Sequence, residues 1–127
     1  MKRKEFDYLQ YKDTKFTKKS AKKLYFEFIE YCKTNNEVRY HKFLEKHHIM
    51  PRSLGGDNSD DNLVYLTYPE HIFAHYLLSI FNSTYQTIKA FLMMTCISGS
   101  EYTNRKDFSD LFQNLKILKN LKQKIND

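Results

Sequence analysis

The ten residues Ser53–Asn62, "SLGGDNSDDN", most tightly limit what this chain can build. Gly, Asn, Asp and Ser favour turns through their backbone freedom or through side-chain bonds to their own backbone, so this is the clearest loop in the sequence. An extended segment, "YHKFLEKHHIMP", precedes it and is stopped by Pro51; a short apolar β-prone run, "LVYL", follows it. In the next stretch, "LTYPEH", Thr67 and Glu70 have the spacing of a capping box, in which each side chain satisfies an orphan backbone donor at a helix start. The spacing predicts a helix from Tyr68 to about Phe81. Strand, polar loop, strand and capped helix therefore follow one another without a break.

The flanks read as helical. Residues 1–17 are polar with scattered aromatics and no sustained period, which predicts a basic arm or an irregular lead-in. From Lys18 to about Thr34, Ala21, Leu24, Tyr25, Phe28, Tyr31 and Cys32 recur at helical spacing with Lys on the other side, an amphipathic helix ended by "KTNNE" within an N-terminal helical region 18–42. Tyr85, Ile88, Phe91, Leu92 and Cys96 mark one further helix, and Phe108, Leu111, Phe112, Leu115, Leu118 and Ile125 a last one, so 84–127 is read as C-terminal helices around a core at 43–81. With no repeat and no linker, 127 residues at 41% hydrophobic content are most economically a single domain, 1–127, able to bury its own core. The aromatics at helical spacing read as core rather than as base-stacking platforms.

The formal charge is +6, and it is unevenly placed. Residues 1–46 carry 13 Lys and Arg against 7 Asp and Glu, whereas residues 47–98 carry 2 against 4. A basic flank beside a slightly acidic centre suits a polyanion held next to a site that attracts cations; a solvated Lys-rich surface has the same composition. Cys32 and Cys96 stand alone, which indicates neither a disulfide framework nor a thiolate zinc site and fits a reducing cytosol. The charged N-terminus lacks the apolar run of a signal peptide, and no stretch reaches the roughly 18 apolar residues of a membrane span, so no signal peptide and no membrane anchor are expected.

Four of the five histidines fall on the central elements. His71 and His75 are four apart on the expected helix, one above the other, so two imidazoles could meet one metal ion. His47 and His48 are neighbours on the expected strand and point to opposite faces. If one of them faces the helix it completes a three-imidazole site, and its neighbour is left to act on a substrate. Singly each signal is weak: a lone HxxxH is more often surface or core, and Asn62 by itself is a turn residue.

Taken together, "EKHHIMPRSLGGDNSDDNLVYLTYPEHIFAHYLL" (Glu45 to Leu78) resembles the HNH endonucleases, a branch of the ββα-metal or His-Me finger nucleases. The match lies in the double His, the Pro-Arg, the Gly-Gly, the Asn-Leu-Val opening the second strand, the Leu-Thr and the Glu-His-x-x-Ala-His. The resemblance implies a mainly helical α+β fold around two short antiparallel strands and a helix. It also implies that His47, His71 and His75 are metal ligands, that His48 is the general base, and that Asn62 supports the loop and the base. Of the ligands His75 is the least fixed by the pattern, since some members place Asp or Asn at ligand positions.

The chemistry suits these roles. An imidazole of ordinary pKa, near ~6.5, can be neutral at cellular pH and take a proton from the water that attacks phosphorus, while a metal stabilises charge on the phosphate and the leaving 3′ oxygen. The expected products carry 5′-phosphate and 3′-hydroxyl ends. His48 needs an acceptor for its other nitrogen, commonly a backbone carbonyl near Asn62, and Glu45 is placed to orient a ligand histidine. Arg52 is either a phosphate clamp or a surface residue holding the loop. Three imidazoles favour Zn, Ni, Co or Mn over Mg, but availability can override affinity, so one divalent cation (Mg, Mn, Zn or Ni) is expected with the species open. Lys18, Lys19, Lys22 and Lys23 could run along a DNA backbone, probed by salt. The composition resembles that of small free-standing phage nucleases, some of them homing endonucleases, acting on double-stranded DNA as monomer or homodimer in the cytoplasm of a bacterial host. The rival reading is a non-catalytic module in which a structural zinc stabilises a nucleic-acid-binding fold; a histidine at position 48 argues against it, because a structural site needs no base.

Overall fold

The computed structural model describes residues 5–11, 13–35 and 44–96. The continuation of the N-terminal helical region over 36–42, and the last amphipathic stretch from Phe108 to Ile125, lie outside the described residues. In chain order there follow an irregular lead-in with one 3-10 turn at Leu9–Tyr11, α1 (Lys18–Thr34), β1 (Glu45–His48), β2 (Leu63–Leu66), α2 (Tyr68–Phe81) and α3 (Tyr85–Cys96). β1 and β2 pair antiparallel, with Glu45 opposite Leu66, His47 opposite Val64 and His48 opposite Leu63. This is a mainly helical α+β fold in which a two-stranded ribbon packs against helices.

α2 is the central element. It starts where the sequence says it should: Thr67 Oγ1 accepts from the Glu70 backbone N–H, Glu70 returns the bond to the Thr67 N–H, and Pro69 stands in the first turn, where a missing N–H costs nothing. Ile72, Phe73, Ala74, Tyr76, Leu77 and Leu78 are all buried, so the helix is covered on most of its circumference. α1 packs against it with the stripe Ala21, Leu24, Tyr25, Phe28, Ile29 and Cys32, and α3 with Ile88 and Phe91. The Phe28 and Phe73 rings meet edge to face at 5.5 Å, and burying a side chain of that size stabilises the fold by about 1.5–3 kcal/mol.

The lead-in is irregular in backbone but not loose. Its Phe6 ring lies 4.9 Å from Phe28 and 5.4 Å from Tyr31, inside the aromatic core. Phe6 N–H donates to Glu70 Oε2 at 2.8 Å, and Thr67 Oγ1 donates to Glu5 Oε2 at 2.6 Å. The fully buried Glu70 carboxylate thus serves two backbone donors, one in its own capping box and one from a segment far away in sequence. Phe6, Tyr8, Tyr11 and Phe16 lack a period because they cover the helices as a strap rather than as an element with one face.

Candidate metal centre and catalytic pair

Strand alternation decides the site. Glu45 and His47 are two residues apart on β1 and point to α2, whereas Lys46 and His48 point away. His47 is 2% exposed; its ring centroid lies 5.1 Å from that of His71 and 5.0 Å from that of His75, while His71 and His75 are 4.8 Å apart. The three rings form a nearly equilateral triangle, and one potential ligand atom from each lies within 4.8 Å of the others. Among the described residues no other group of three or more His, Cys, Asp or Glu has this arrangement.

The donor set fits a cation. Glu45 Oε1 lies 2.9 Å from His71 Nδ1, so the carboxylate takes the Nδ1 hydrogen and leaves Nε2 as the lone-pair nitrogen of His71. That Nε2 stands 3.2 Å from His75 Nε2. Two nitrogens sharing an ion at ~2.0–2.1 Å stand about 3–3.4 Å apart, so the spacing is that of two ligands to one centre. Burial, with the neighbouring imidazoles, pushes the pKa of His47 well below its ordinary value, and burial followed by His71 pushes that of His75 down to about 3. Both rings are therefore neutral near pH 7, the form that binds metal.

His48, opposite Leu63 on the other face of the ribbon, is half-buried, and its Nε2 meets Asn58 Oδ1 at 2.8 Å. The partner is thus a side-chain amide of the loop, where the sequence suggests a backbone carbonyl near Asn62. The loop comes back over the strand because Asp57 accepts from Ser59 N–H and Oγ, and because Asn62 pins its two ends together. Asn62 Oδ1 accepts from Met50 N at 2.8 Å, and its Nδ2 donates to Met50 O at 3.0 Å and to Asp57 O at 2.8 Å. Asn62 is a staple of the loop and lies outside the histidine triangle.

Arg52 is exposed at the start of a short 3-10 turn, Arg52–Leu54, and Lys18, Lys19, Lys22 and Lys23 are exposed on the first two turns of α1. The helical rise sets these Lys Cα atoms roughly 3–11 Å along the α1 axis from that of Tyr25, whose hydroxyl meets His47. Two residues at the site carry no sequence signal for it. Tyr25 is marked by period only as core, and Asn58 only as loop.

The sequence profile of the HNH endonucleases matches residues 30–67, which take in His47, His48 and Asn62. Probable mobile endonuclease E of Enterobacteria phage T4 is 34% identical over 96 residues, 76% of this chain and 67% of that protein. The chain belongs to the HNH endonuclease family. Two further phage T4 proteins match this HNH endonuclease over a shorter span: probable mobile endonuclease C is 60% identical over 35 residues, and probable mobile endonuclease D 54% over 37. The chain spans 17% and 14% of their lengths. No solved structure matches it. HNH nucleases use a metal and act on DNA, and the three histidines form a cluster that could hold an ion. Among the described residues no helix is long and apolar enough to cross a membrane.

Proposed function

We propose that this HNH endonuclease hydrolyses DNA phosphodiester bonds with a single divalent cation, leaving 5′-phosphate and 3′-hydroxyl ends, as a phage-type homing or DNA-processing nuclease. The observation that carries the reading is the opposite orientation of His47 and His48: one strand sends the first ring into the three-imidazole triangle and leaves the second half-exposed on its other face. A cation held by His47, His71 and His75 supplies positive charge for the phosphate and the leaving 3′ oxygen. Zn, Ni and Mn suit three imidazoles better than Mg does.

His48 accepts the proton of the attacking water. Its ring is held by Asn58, and a base in this position contributes typically ~10²–10⁴-fold. Glu45 keeps the lone pair of His71 on the nitrogen turned to His75, and Asn62 keeps the loop ends in place so that His48 and the triangle stay in register. Arg52 contacts a phosphate of the bound strand, and Lys18, Lys19, Lys22 and Lys23 follow the backbone of double-stranded DNA without reading sequence. The relationship to proteins named as mobile endonucleases supports the phage-type role.

The test is a supercoiled plasmid incubated with Mn²⁺ or Mg²⁺, with and without EDTA. Nicked or linear product is expected, abolished by EDTA and nearly abolished by His48→Ala with metal content retained; His71→Ala loses metal and activity together. Plasmid left intact under every metal tested points instead to the non-catalytic zinc-stabilised module.

A further inference from the structure

We infer that Tyr25 is the positioning residue that sets which nitrogen of His47 faces the metal centre, by holding the Nε2 hydrogen and leaving Nδ1 as the ligand atom. The inference rests on the metal centre proposed above. Tyr25 is fully buried on α1, and its hydroxyl stands 2.8 Å from His47 Nε2 and 2.7 Å from the carbonyl oxygen of Ile49. A hydroxyl has one hydrogen and a carbonyl has none, so the Tyr25 hydrogen goes to Ile49 O. The contact with His47 is then a bond from Nε2–H to the phenol oxygen. A neutral imidazole carries only one hydrogen, and the lone pair is left on Nδ1.

The alternative, a phenol donating to Nε2, leaves the Ile49 carbonyl without that donor and turns the Nδ1 hydrogen of His47 toward a triangle that has no use for it. The phenol cannot easily move away. Its ring is wedged between Phe26 at 5.3 Å and Phe81 at 5.2 Å, edge-on to His47 at 6.2 Å. His47 and His71 are therefore set in opposite tautomers by different means: Glu45 takes Nδ1–H of His71, and Tyr25 takes Nε2–H of His47. Strand geometry explains the difference. Glu45 and His47 lie on the same face of β1, so the carboxylate reaches α2, while the far edge of the His47 ring reaches α1.

The experiment uses the full chain and Zn²⁺ alone as the probe. In the metal-free protein, long-range ¹H–¹⁵N spectra of the histidine side chains are expected to show His47 as the Nε2–H tautomer. Tyr25→Phe keeps the ring and removes the oxygen. It is expected to lose that single tautomer and to weaken Zn²⁺ binding in calorimetric titration by about 10–100-fold, the usual effect of removing a partner behind a metal ligand. His47 found as the Nδ1–H tautomer in the wild-type protein overturns the inference without touching the metal centre, and so does wild-type Zn²⁺ affinity in a folded Tyr25→Phe. A wild-type protein that binds no Zn²⁺, or a His71→Ala variant that binds it as tightly as wild type, overturns the metal centre itself and the inference with it.

Discussion

Gly56→Ala is expected to damage the loop far more than its size suggests. A Cβ built at Gly56 falls 1.8 Å from the Met50 carbonyl oxygen, 2.7 Å from the Met50 carbonyl carbon and 2.9 Å from Asn62 Nδ2. Two of these atoms are backbone, so no rotamer change relieves the overlap, and the two ends of the loop must separate. Separation breaks the bonds between Asn62 and Met50, at 2.8 and 3.0 Å, and the bond from Gly56 N to Pro51 O at 3.0 Å. Each is worth about 0.5–1.5 kcal/mol net, so the variant should lose roughly 2–4 kcal/mol. Urea unfolding followed by circular dichroism measures this, with plasmid nicking beside it, since Met50 lies two residues from His48. Gly55→Ala is the internal control. Gly55 has a positive φ of 96° with open space around its would-be Cβ, so alanine costs only backbone strain, about 1–2 kcal/mol. A Gly56→Ala protein within about 0.5 kcal/mol of wild type, or more stable than Gly55→Ala, refutes the close approach as the reason for glycine at this position.

Two further outcomes follow from groups at and near α2. Glu70→Ala leaves the partly buried Phe6 and Thr67 donors without this partner, at up to about 1–3 kcal/mol each, and should sharply speed hydrogen exchange at the Phe6 amide; unchanged exchange there would show that the strap is held by its aromatics alone. The second outcome concerns acid. His75 has a folded pKa of about 3, and His47 is also lowered, while in the unfolded chain both return to about 6.5. Below that value the unfolded state binds more protons than the folded one, so the metal-free protein loses stability as pH falls, at about 1.4 kcal/mol per pH unit from His75. Unfolding midpoints in EDTA at pH 7.5 and 5.5 should show the loss, with a shallower slope in His75→Gln; equal slopes would refute the burial argument.

Much of the centre was legible because its signals are local. Pro51, the Gly and Asn of the loop, and the Thr67–Glu70 capping box each act within a few residues, and they locate β1, β2 and the start of α2. The four-residue spacing of His71 and His75, with strand alternation at His47, needs only the geometry of one helix and one strand. What stayed hidden depends on contacts between distant segments. Tyr25 has the same place in the helical period whether or not its hydroxyl finds a partner, and only the docking of α1 on β1 supplies one. Asn58 is one of several interchangeable loop residues until Asp57 and Asn62 fold the loop back. The strap could not be read at all, because Phe6 joins the core through ring contacts with distant helices and through a backbone donor to a carboxylate already explained by its own helix.

That strap also sets a clock. The bond from Phe6 to Glu70 joins positions 64 residues apart, so during synthesis the lead-in cannot dock until α2 has been made. At 5–20 residues added per second, Phe6, Tyr8, Tyr11 and Phe16 wait roughly 3–13 s for their cover. Over the same interval the apolar stripe of α1 is without the α2 face that buries it in the folded protein. Glu5, Asp7, Asp13 and Lys15, interleaved with the aromatics, then have a second use. They are expected to keep the nascent segment hydrated until the helix that receives it has been made.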